Sequence, residues 1–299
     1  MPLPKEVHLI PGMISPGERE MYYQLASENY QGLGEIVEVG ALFGASTSSF
    51  AAGLRDNKKV HRKQSRIHVY DLFEVYQDLI DRFLIPQNIS HYKPGDDFTD
   101  LYLDTVGPYR DLLNVTKGDA QNVVWSGKPI EILFIDCAHS PEFLQAMVRI
   151  FYPYLMPGLS LVVDKDAFYQ IAWWINIKNE LLHENLVPEY QCDTTLVCHY
   201  TCAIDDSFLV ENWANISTAG ALEKLDSYSK RYMSGHPKVS QLIEIQKAYL
   251  LIKTGAINQG VNILMTIMSN PLSNSVTYRV KETLKDFGLF IPDAPVKMI

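Results

Sequence analysis

The sequence lacks several features that would place the protein in a membrane or on nucleic acid. None of its apolar runs reaches the roughly 18 residues that a membrane-spanning helix needs. Its first residues do not show the charged-then-apolar pattern of a secretory signal. Basic residues are not in excess, since 26 Lys and Arg stand against 35 Asp and Glu, a net charge of −9. These absences predict a soluble, cytoplasmic protein without a membrane or nucleic-acid partner.

Cysteine is also scarce. The chain has 4 cysteines in 299 residues, and their positions follow no zinc-ligand spacing. They are predicted to be reduced, small side chains rather than disulfide or metal partners. The length suits one large α/β domain with an appendage, or two domains.

The chain contains a short apolar run that is followed by a turn with two glycines. Residues 35–47 read Glu-Ile-Val-Glu-Val-Gly-Ala-Leu-Phe-Gly-Ala-Ser-Thr, which predicts a buried strand, a turn at Gly40 and Gly44, and a helix that Ser46 can cap. Glycines let a ligand approach the backbone, and a helix start attracts a carboxylate or phosphate. The middle glycine of G-x-G-x-x-G is missing, which disfavours a dinucleotide site. An ordinary strand–turn–helix is the alternative.

Further apolar runs alternate with helical patterns along the first two thirds of the chain. This alternation predicts an α/β fold with a doubly wound, mostly parallel sheet. Ligands of such sheets bind outside the carboxyl ends of the strands. Five acids stand at or just after predicted strand ends, and we expect them to gather on one edge. They are Glu38, Asp71, Asp119, Asp136 and Asp164.

Two regions exceed a minimal domain of this kind. Residues 74–111 form a long, aromatic-rich insertion, which we interpret as a lid over an acceptor site or as an excursion with its own small core. From residue 206 the pattern is helical. The predicted domains are therefore 1–205 and an all-helical 206–299, which either packs on the first domain or forms a homodimer contact.

Two patterns together resemble a known family. The first is E-x-G-x-x-x-G-x-S from Glu38 to Ser46. The second is Phe-Ile-Asp-Cys-Ala-His-Ser at 134–140, followed by Pro-Gly at 157–158 and Val-Asp-Lys-Asp at 163–166. Over about residues 15–205 the chain resembles class I S-adenosylmethionine methyltransferases, closest to the branch of the catechol and macrolide-sugar O-methyltransferases. The resemblance implies a Rossmann-like fold, S-adenosylmethionine as cofactor, and a small-molecule hydroxyl acceptor such as a sugar, polyketide or catechol.

The resemblance also implies a donor site. Asp71 would accept hydrogen bonds from the ribose hydroxyls, and Asp119 with Ala120 would meet the adenine. Ser46 and the backbone between Gly40 and Gly44 would hold the methionine carboxylate. Glu38 and Asp136 complete the implied set. The alternatives are a capping Asp119, a capping Ser46 and an Asp71 that faces water.

In metal-dependent members of the family, equivalent acids hold Mg²⁺, which activates the acceptor hydroxyl. Here Asp136 and Asp164 match two of those ligands, but Lys165 occupies the third position, so Asp166 is its substitute. Without a metal, Lys165 itself would hold the acceptor oxygen. His139 matches the general base of the family, and its alternative is a helix-entry residue bonded to backbone.

Two other functions remain open at this stage. A nicotinamide-dependent oxidoreductase could use a similar sheet, although the glycine pattern and the lack of a Tyr-x-x-x-Lys pair with a serine partner speak against it. A non-catalytic binding module acting through residues 206–299 is the other, and Lys165 is the feature that favours it.

Overall fold

A computed structural model describes residues 2–232 and 236–289, with only the backbone of residue 232. The chain divides into two compact units. The first, the sheet unit, contains Met1–Cys137, Ala146–Lys165 and Glu184–Val210; the second, the helical unit, contains Ala138–Gln145, Asp166–His183 and the chain from Glu211 onward. The last division falls close to the predicted boundary at 205. Two internal segments nevertheless group with the C-terminal helices, which the sequence reading did not foresee.

The sheet unit is built on seven strands in the order β3-β2-β1-β4-β5-β7-β6. They are β1 Glu35–Val39, β2 Ile67–Asp71, β3 Leu113–Lys117, β4 Ile130–Ile135, β5 Leu161–Asp164, β6 Leu186–Cys192 and β7 Thr195–Tyr200. Strands β1 to β5 are parallel, and β7 runs antiparallel to both β5 and β6. The predicted mostly parallel α/β sheet is confirmed.

The carboxyl ends of the parallel strands lie level with one another. The amides of the residues that follow β1, β3, β4 and β5 donate to neighbouring strands: Gly40 to Tyr70 at 2.9 Å, Gly118 to Asp71 at 2.9 Å, Asp136 to Val39 at 2.8 Å and Lys165 to Ile135 at 3.1 Å. One edge of the sheet thus presents the start of every loop in which a predicted site residue lies.

Twelve α-helices, α1 to α12, also lie within residues 2–232 and 236–289. Their bounds are Lys5–His8, Pro16–Gln24, Ala45–Asp56, Gln77–Leu79, Thr99–Thr105, Pro141–Phe151, Trp173–Leu181, Asp206–Val210, Thr218–Tyr232, Pro237–Lys253, Ile257–Ser269 and Asn274–Asp286. Helix α2 begins at the capping box that its Ser-Pro-Gly-Glu sequence encodes, with Ser15 and Glu18 bonding each other's backbone amides. Within residues 2–232 and 236–289, no helix is long and apolar enough to cross a membrane.

The core of the sheet unit includes the insertion. Tyr22 of α2 stacks on Phe50 of α3, with ring centroids 5.1 Å apart. Residues 74–111 do not form a separate core: the Tyr102 ring of α5 lies 4.7 Å from Phe73, and Phe98 lies 5.5 Å from Phe43. The insertion therefore packs on the loops that leave β1 and β2.

The helical unit is a bundle in which α10 and α11 form a helix pair across Gly255. Gly260 of α11 permits their close approach, because a Cβ there would lie 2.5 Å from Ile252 Cγ1. Helix α7 packs on α9, where Glu180 accepts a hydrogen bond from Ser227 at 2.5 Å. Residues 233–235 and 290–299 of the predicted region 206–299 lie outside the described residues.

Candidate active site

Three of the predicted acids converge on one thiol at the carboxyl edge of the sheet. Burial raises the pKa of Cys137 well above its ordinary range, and the negative charges of Asp71, Asp136 and Asp119 raise it further. Such Coulombic effects require short distances in a screened medium. Residues at the ends of β2 and β4 and in the loop after β3 thus carry charges that act on one thiol. The turn after β1 also lies close to Cys137, because a Cβ built on Gly40 would lie 3.0 Å from Cys137 Cβ.

The glycine turn after β1 has the backbone that the sequence predicts. Gly40 and Gly44 have φ of +89° and +84°, values that favour glycine. A Cβ on Gly40 would lie 3.1 Å from the backbone carbon of Asp136, so the turn touches the end of β4. Helix α3 starts directly after Gly44, and no side chain caps its first amides.

Asp71 holds this turn in place. Its Oδ2 accepts the amides of Ala41 at 2.7 Å and Leu42 at 3.0 Å, and its Oδ1 accepts the amide of Phe73 at 2.7 Å. Leu42 and Phe73 both have positive φ, which for residues of this size is strained and needs such fixation. The carboxylate is half-buried and retains acceptor capacity, because it has about four lone-pair sites.

Glu38 and Ser46 bond each other. Glu38 is fully buried, and it accepts the hydroxyls of Ser46 at 2.5 Å and Thr47 at 2.6 Å, one on each carboxylate oxygen. Direct contact of either predicted side chain with a cofactor finds no support in this arrangement. Glu38 instead connects β1 to the first turn of α3. It thereby fixes the two ends of the glycine turn that lies between them.

This burial predicts a stability that depends on pH. Burial raises the pKa of Glu38 to about 7 from an ordinary 4.5; the Asp71 charge adds to this, and the hydroxyls of Ser46 and Thr47 oppose it. A raised folded-state pKa stabilises the fold below the unfolded value, and that stability is lost as pH rises through 7. The loss amounts to about 3 kcal/mol.

Glu38→Gln is expected to remove this dependence. Urea unfolding between pH 4.5 and 8 should show the native protein losing about 3 kcal/mol relative to the variant. Glu74→Gln, at an exposed site in the insertion, is the control and should follow the native curve. Parallel curves for the native protein and Glu38→Gln would contradict the buried-carboxyl explanation.

Asp119 takes the capping role that was its alternative. Its Oδ1 accepts the amide of Gln121 at 2.9 Å and begins the short 3₁₀ turn Ala120–Asn122. Ala120 is buried, whereas Asp119 stays half-exposed. The space beside Gly118 is open, since a Cβ there would have no heavy atom within 4 Å. A flat ligand group can therefore approach the backbone before Asp119.

The chain region that carries these side chains matches a known family. Residues 37–165 match the family model described as a methyltransferase domain. This stretch of the chain is therefore similar to a methyltransferase domain. This confirms the prediction of a methyltransferase enzyme and supports S-adenosylmethionine as its methyl donor.

Comparison of the methyltransferase with solved structures finds similar chains. The O-methyltransferase NovP is 16% identical at a TM-score of 0.47, covering 64% of this chain and 82% of its own. The calicheamicin TDP-rhamnose 3′-O-methyltransferase CalS11 is 17% identical at 0.42, covering 61% and 76%. An O-methyltransferase from Bacillus cereus is 15% identical at 0.41, covering 64% and 84%. At this distance the likenesses assign no substrate. No curated protein matches the sequence.

Lys165 of the methyltransferase lies in a buried polar cluster. Its Nζ is 3.6 Å from Glu18 Oε1 and 2.9 Å from Thr194 Oγ1. Glu18 also accepts the hydroxyl of Thr195 at 2.7 Å. The cluster joins α2, the end of β5 and the β6–β7 hairpin. The Lys165 ammonium is almost completely buried against Glu18, which supports a structural ion pair, and its predicted contact with an acceptor oxygen stays a prediction.

Magnesium binding by Asp136, Asp164 and Asp166 stays a prediction. Asp164 is buried at the end of β5, near Tyr152. Burial raises the pKa of Tyr152, and the charge of Asp164 raises it further. Asp166 belongs to the helical unit and starts a turn whose carbonyl accepts the Tyr169 amide at 2.9 Å. Across residues 2–232 and 236–289, no three His, Cys, Asp or Glu side chains could together hold a metal ion.

His139 is exposed and precedes α6 in the helical unit. Its ring lies 6.3 Å from that of Phe143. The helix is capped by its neighbour, since Ser140 Oγ accepts the Phe143 amide at 3.1 Å. Ser140 therefore provides the capping observed at this helix entry. His139 lies at the surface and follows Asp136 in the sequence.

Sequence reasoning missed three residues that shape this site. Glu18 neutralises Lys165, and Thr47 shares Glu38 with Ser46. Tyr76 is half-exposed, and the charges of Asp71 and Asp136 help raise its pKa, after burial and Asp78. Only the Thr47 contact had a readable signal, because it stands in the same strand–turn–helix pattern as Glu38.

Proposed function

We propose that the chain transfers a methyl group from S-adenosylmethionine to a hydroxyl of a small molecule. The observation that carries the proposal is the contact of Asp71 with the Gly40–Gly44 turn, where it accepts the amides of Ala41 and Leu42, within the residues 37–165 that match the methyltransferase family model. The acceptor class, whether sugar, polyketide or catechol-like, is an expectation from the family resemblance alone.

The residues at this edge suit the donor. The spare acceptor capacity of Asp71 is available to a ribose hydroxyl, and the half-exposed Asp119 beside the open Gly118 is available to the adenine amino group. The uncapped first turn of α3 offers amides and the positive end of a helix dipole to the methionine carboxylate. In this proposal Ser46 acts through its backbone rather than its hydroxyl.

The transfer itself is an in-line displacement. The acceptor oxygen forms a bond to the methyl carbon as the carbon–sulfur bond breaks. The electron pair of the carbon–sulfur bond stays on sulfur, which becomes a neutral thioether. The hydroxyl proton passes to His139, and Asp136 orients the acceptor. The protein contributes mainly alignment, which can supply a large share of such a rate enhancement.

The proposed transfer assigns no step to a metal ion. Magnesium assistance through Asp136, Asp164 and Asp166 stays a prediction. A methyl-transfer assay with EDTA, and then with added Mg²⁺, decides it: an unchanged rate supports the metal-free reaction. A homodimer contact through the C-terminal helices is likewise a proposal, which sedimentation of the full chain at two concentrations checks.

The donor proposal predicts that the chain binds S-adenosylhomocysteine. Isothermal titration calorimetry measures this binding, and a second titration with NADH is run in parallel. Asp71→Ala is expected to weaken that binding at least about tenfold, since three backbone amides and the ribose lose a charged acceptor. Asp78→Ala, which removes an exposed acid of the insertion, is the control and should bind normally.

Two results would overturn the proposal in different ways. Binding of NADH but not S-adenosylhomocysteine favours the oxidoreductase. Binding of S-adenosylhomocysteine without transfer to any of a panel of sugar, polyketide and catechol hydroxyls favours the non-catalytic module.

A further inference from the structure

Helix α5 of the insertion touches the glycine turn of the donor site. A Cβ built on Gly44 would lie 2.5 Å from Val106 Cγ1 and 3.1 Å from Tyr102 Cε2. Tyr102 is fully buried at this contact, and its ring also packs on Phe73 at 4.7 Å. The helix therefore forms one wall of the turn.

Hydrogen bonds connect this wall to β1. The Tyr102 hydroxyl donates to Thr47 Oγ1 at 3.3 Å, and Thr47 donates to Glu38 Oε2 at 2.6 Å. The chain of donors ends on a carboxylate with no exposed surface, so each link replaces a hydrogen bond that water cannot provide.

A second set of contacts ties the start of α5 to the loop after β2. The Phe98 amide donates to the Phe73 carbonyl at 2.9 Å, and residues Glu74 and Asp97 form a β-bridge. The Phe73 amide in turn donates to Asp71. The helix is thus joined both to the turn expected to hold the methionine carboxylate and to the acid expected to hold the ribose.

We propose that Tyr102 is a positioning residue for the methyl donor, acting through Thr47 on the turn between Gly40 and Gly44. The insertion then belongs to the donor site as a fixed wall, in addition to any part it plays at the acceptor. The inference rests on the proposed function, because it concerns how that same donor site is shaped. Tyr102 itself touches no substrate.

Tyr102→Phe tests this, because it keeps the ring packing against Gly44 and removes only the hydroxyl. We expect the Kd for S-adenosylhomocysteine to rise about 2- to 13-fold, the range that corresponds to one buried hydrogen bond. The donor KM should rise in step, while the acceptor KM stays unchanged.

Tyr109→Phe is the matched control. Tyr109 is another buried tyrosine of the insertion, and its hydroxyl meets Arg55 at the far end of α3, at 3.4 Å. It should lower the thermal midpoint about as much as Tyr102→Phe and leave the Kd unchanged.

Variants of the linking hydroxyl supply an independent measurement should Tyr102→Phe fold poorly. Thr47→Val should weaken binding at least as much as Tyr102→Phe, and Thr47→Ser should restore it, because serine keeps the donor to Glu38. The double variant Tyr102→Phe, Thr47→Val should be no weaker than Thr47→Val alone.

The outcomes separate the two proposals. If the native chain does not bind S-adenosylhomocysteine, the proposed function fails. If the native chain binds and both Tyr102→Phe and Thr47→Val bind equally well with lowered thermal midpoints, Tyr102 is a packing residue and the inference is wrong.

Discussion

Replacing His139 with alanine is expected to lower the methyl-transfer rate by about 10²–10⁴-fold, the usual contribution of a general base. His139 stands at the surface directly before α6, and Ser140 rather than His139 caps that helix. In sequence it follows Asp136, whose negative charge raises the pKa of Cys137 at the carboxyl edge of the sheet. The proposed function therefore assigns the acceptor proton to the His139 imidazole.

The measurement separates chemistry from binding. His139→Ala should lower kcat while the Kd for S-adenosylhomocysteine stays within about twofold of the native value, since the proposal places the base at the acceptor and not at the donor. His61→Ala is the control: it removes an exposed imidazole from the loop before β2 and should leave kcat unchanged. An unaltered kcat in His139→Ala would refute the assignment, and a loss of donor binding would make His139 a donor-site residue instead.

Replacing Lys165 with methionine is expected to destabilise the fold by about 3–5 kcal/mol, the cost of leaving one partner of a buried ion pair alone. The side chains of Lys165 and Glu18 are only 5% and 2% exposed, so water cannot replace the lost ammonium. Thr194 and Thr195 still donate to the Glu18 carboxylate, but two hydroxyls do not neutralise its charge.

Urea unfolding of the variant, with two companions, checks this. The double variant Lys165→Met, Glu18→Gln should recover most of the loss, because no buried charge is then left uncompensated. Lys128→Met removes an ammonium that is 52% exposed and 3.4 Å from Glu35, and it should cost under about 1 kcal/mol. A folded, stable Lys165→Met protein with abolished turnover would instead restore the catalytic role that the sequence suggested.

The sheet and its acidic edge were readable from local pattern. The apolar runs of β1, β4 and β5 predict buried parallel strands, and an acid or a glycine at the end of each run marks the edge at which ligands bind. The capping box at Ser15 and the helix pair around Gly255 were readable for the same reason. Each of these signals lies within one turn or one strand of the residues that it describes.

The partners of the acids were not readable. Asp71 accepts the amides of Ala41 and Leu42, about thirty positions earlier, and Asp119 caps a turn that its own sequence favours equally with ligand binding. Glu18, which forms an ion pair with Lys165, lies on α2, far earlier in the sequence. A family pattern places such residues at the carboxyl edge of the sheet. It does not tell which of them already bond to other groups of the protein.

The sequence by itself determined the order of strands and helices, the glycine turn, and the acids at the carboxyl edge, because hydrophobic periodicity and turn chemistry act between residues a few positions apart. Only the tertiary structure decided that Glu38 is sealed beneath Ser46 and Thr47, that Lys165 is paired with Glu18, and that Tyr102 closes one side of the turn. Those outcomes depend on which buried donors and charges meet when distant segments pack, and a buried polar group takes whichever partner that packing supplies.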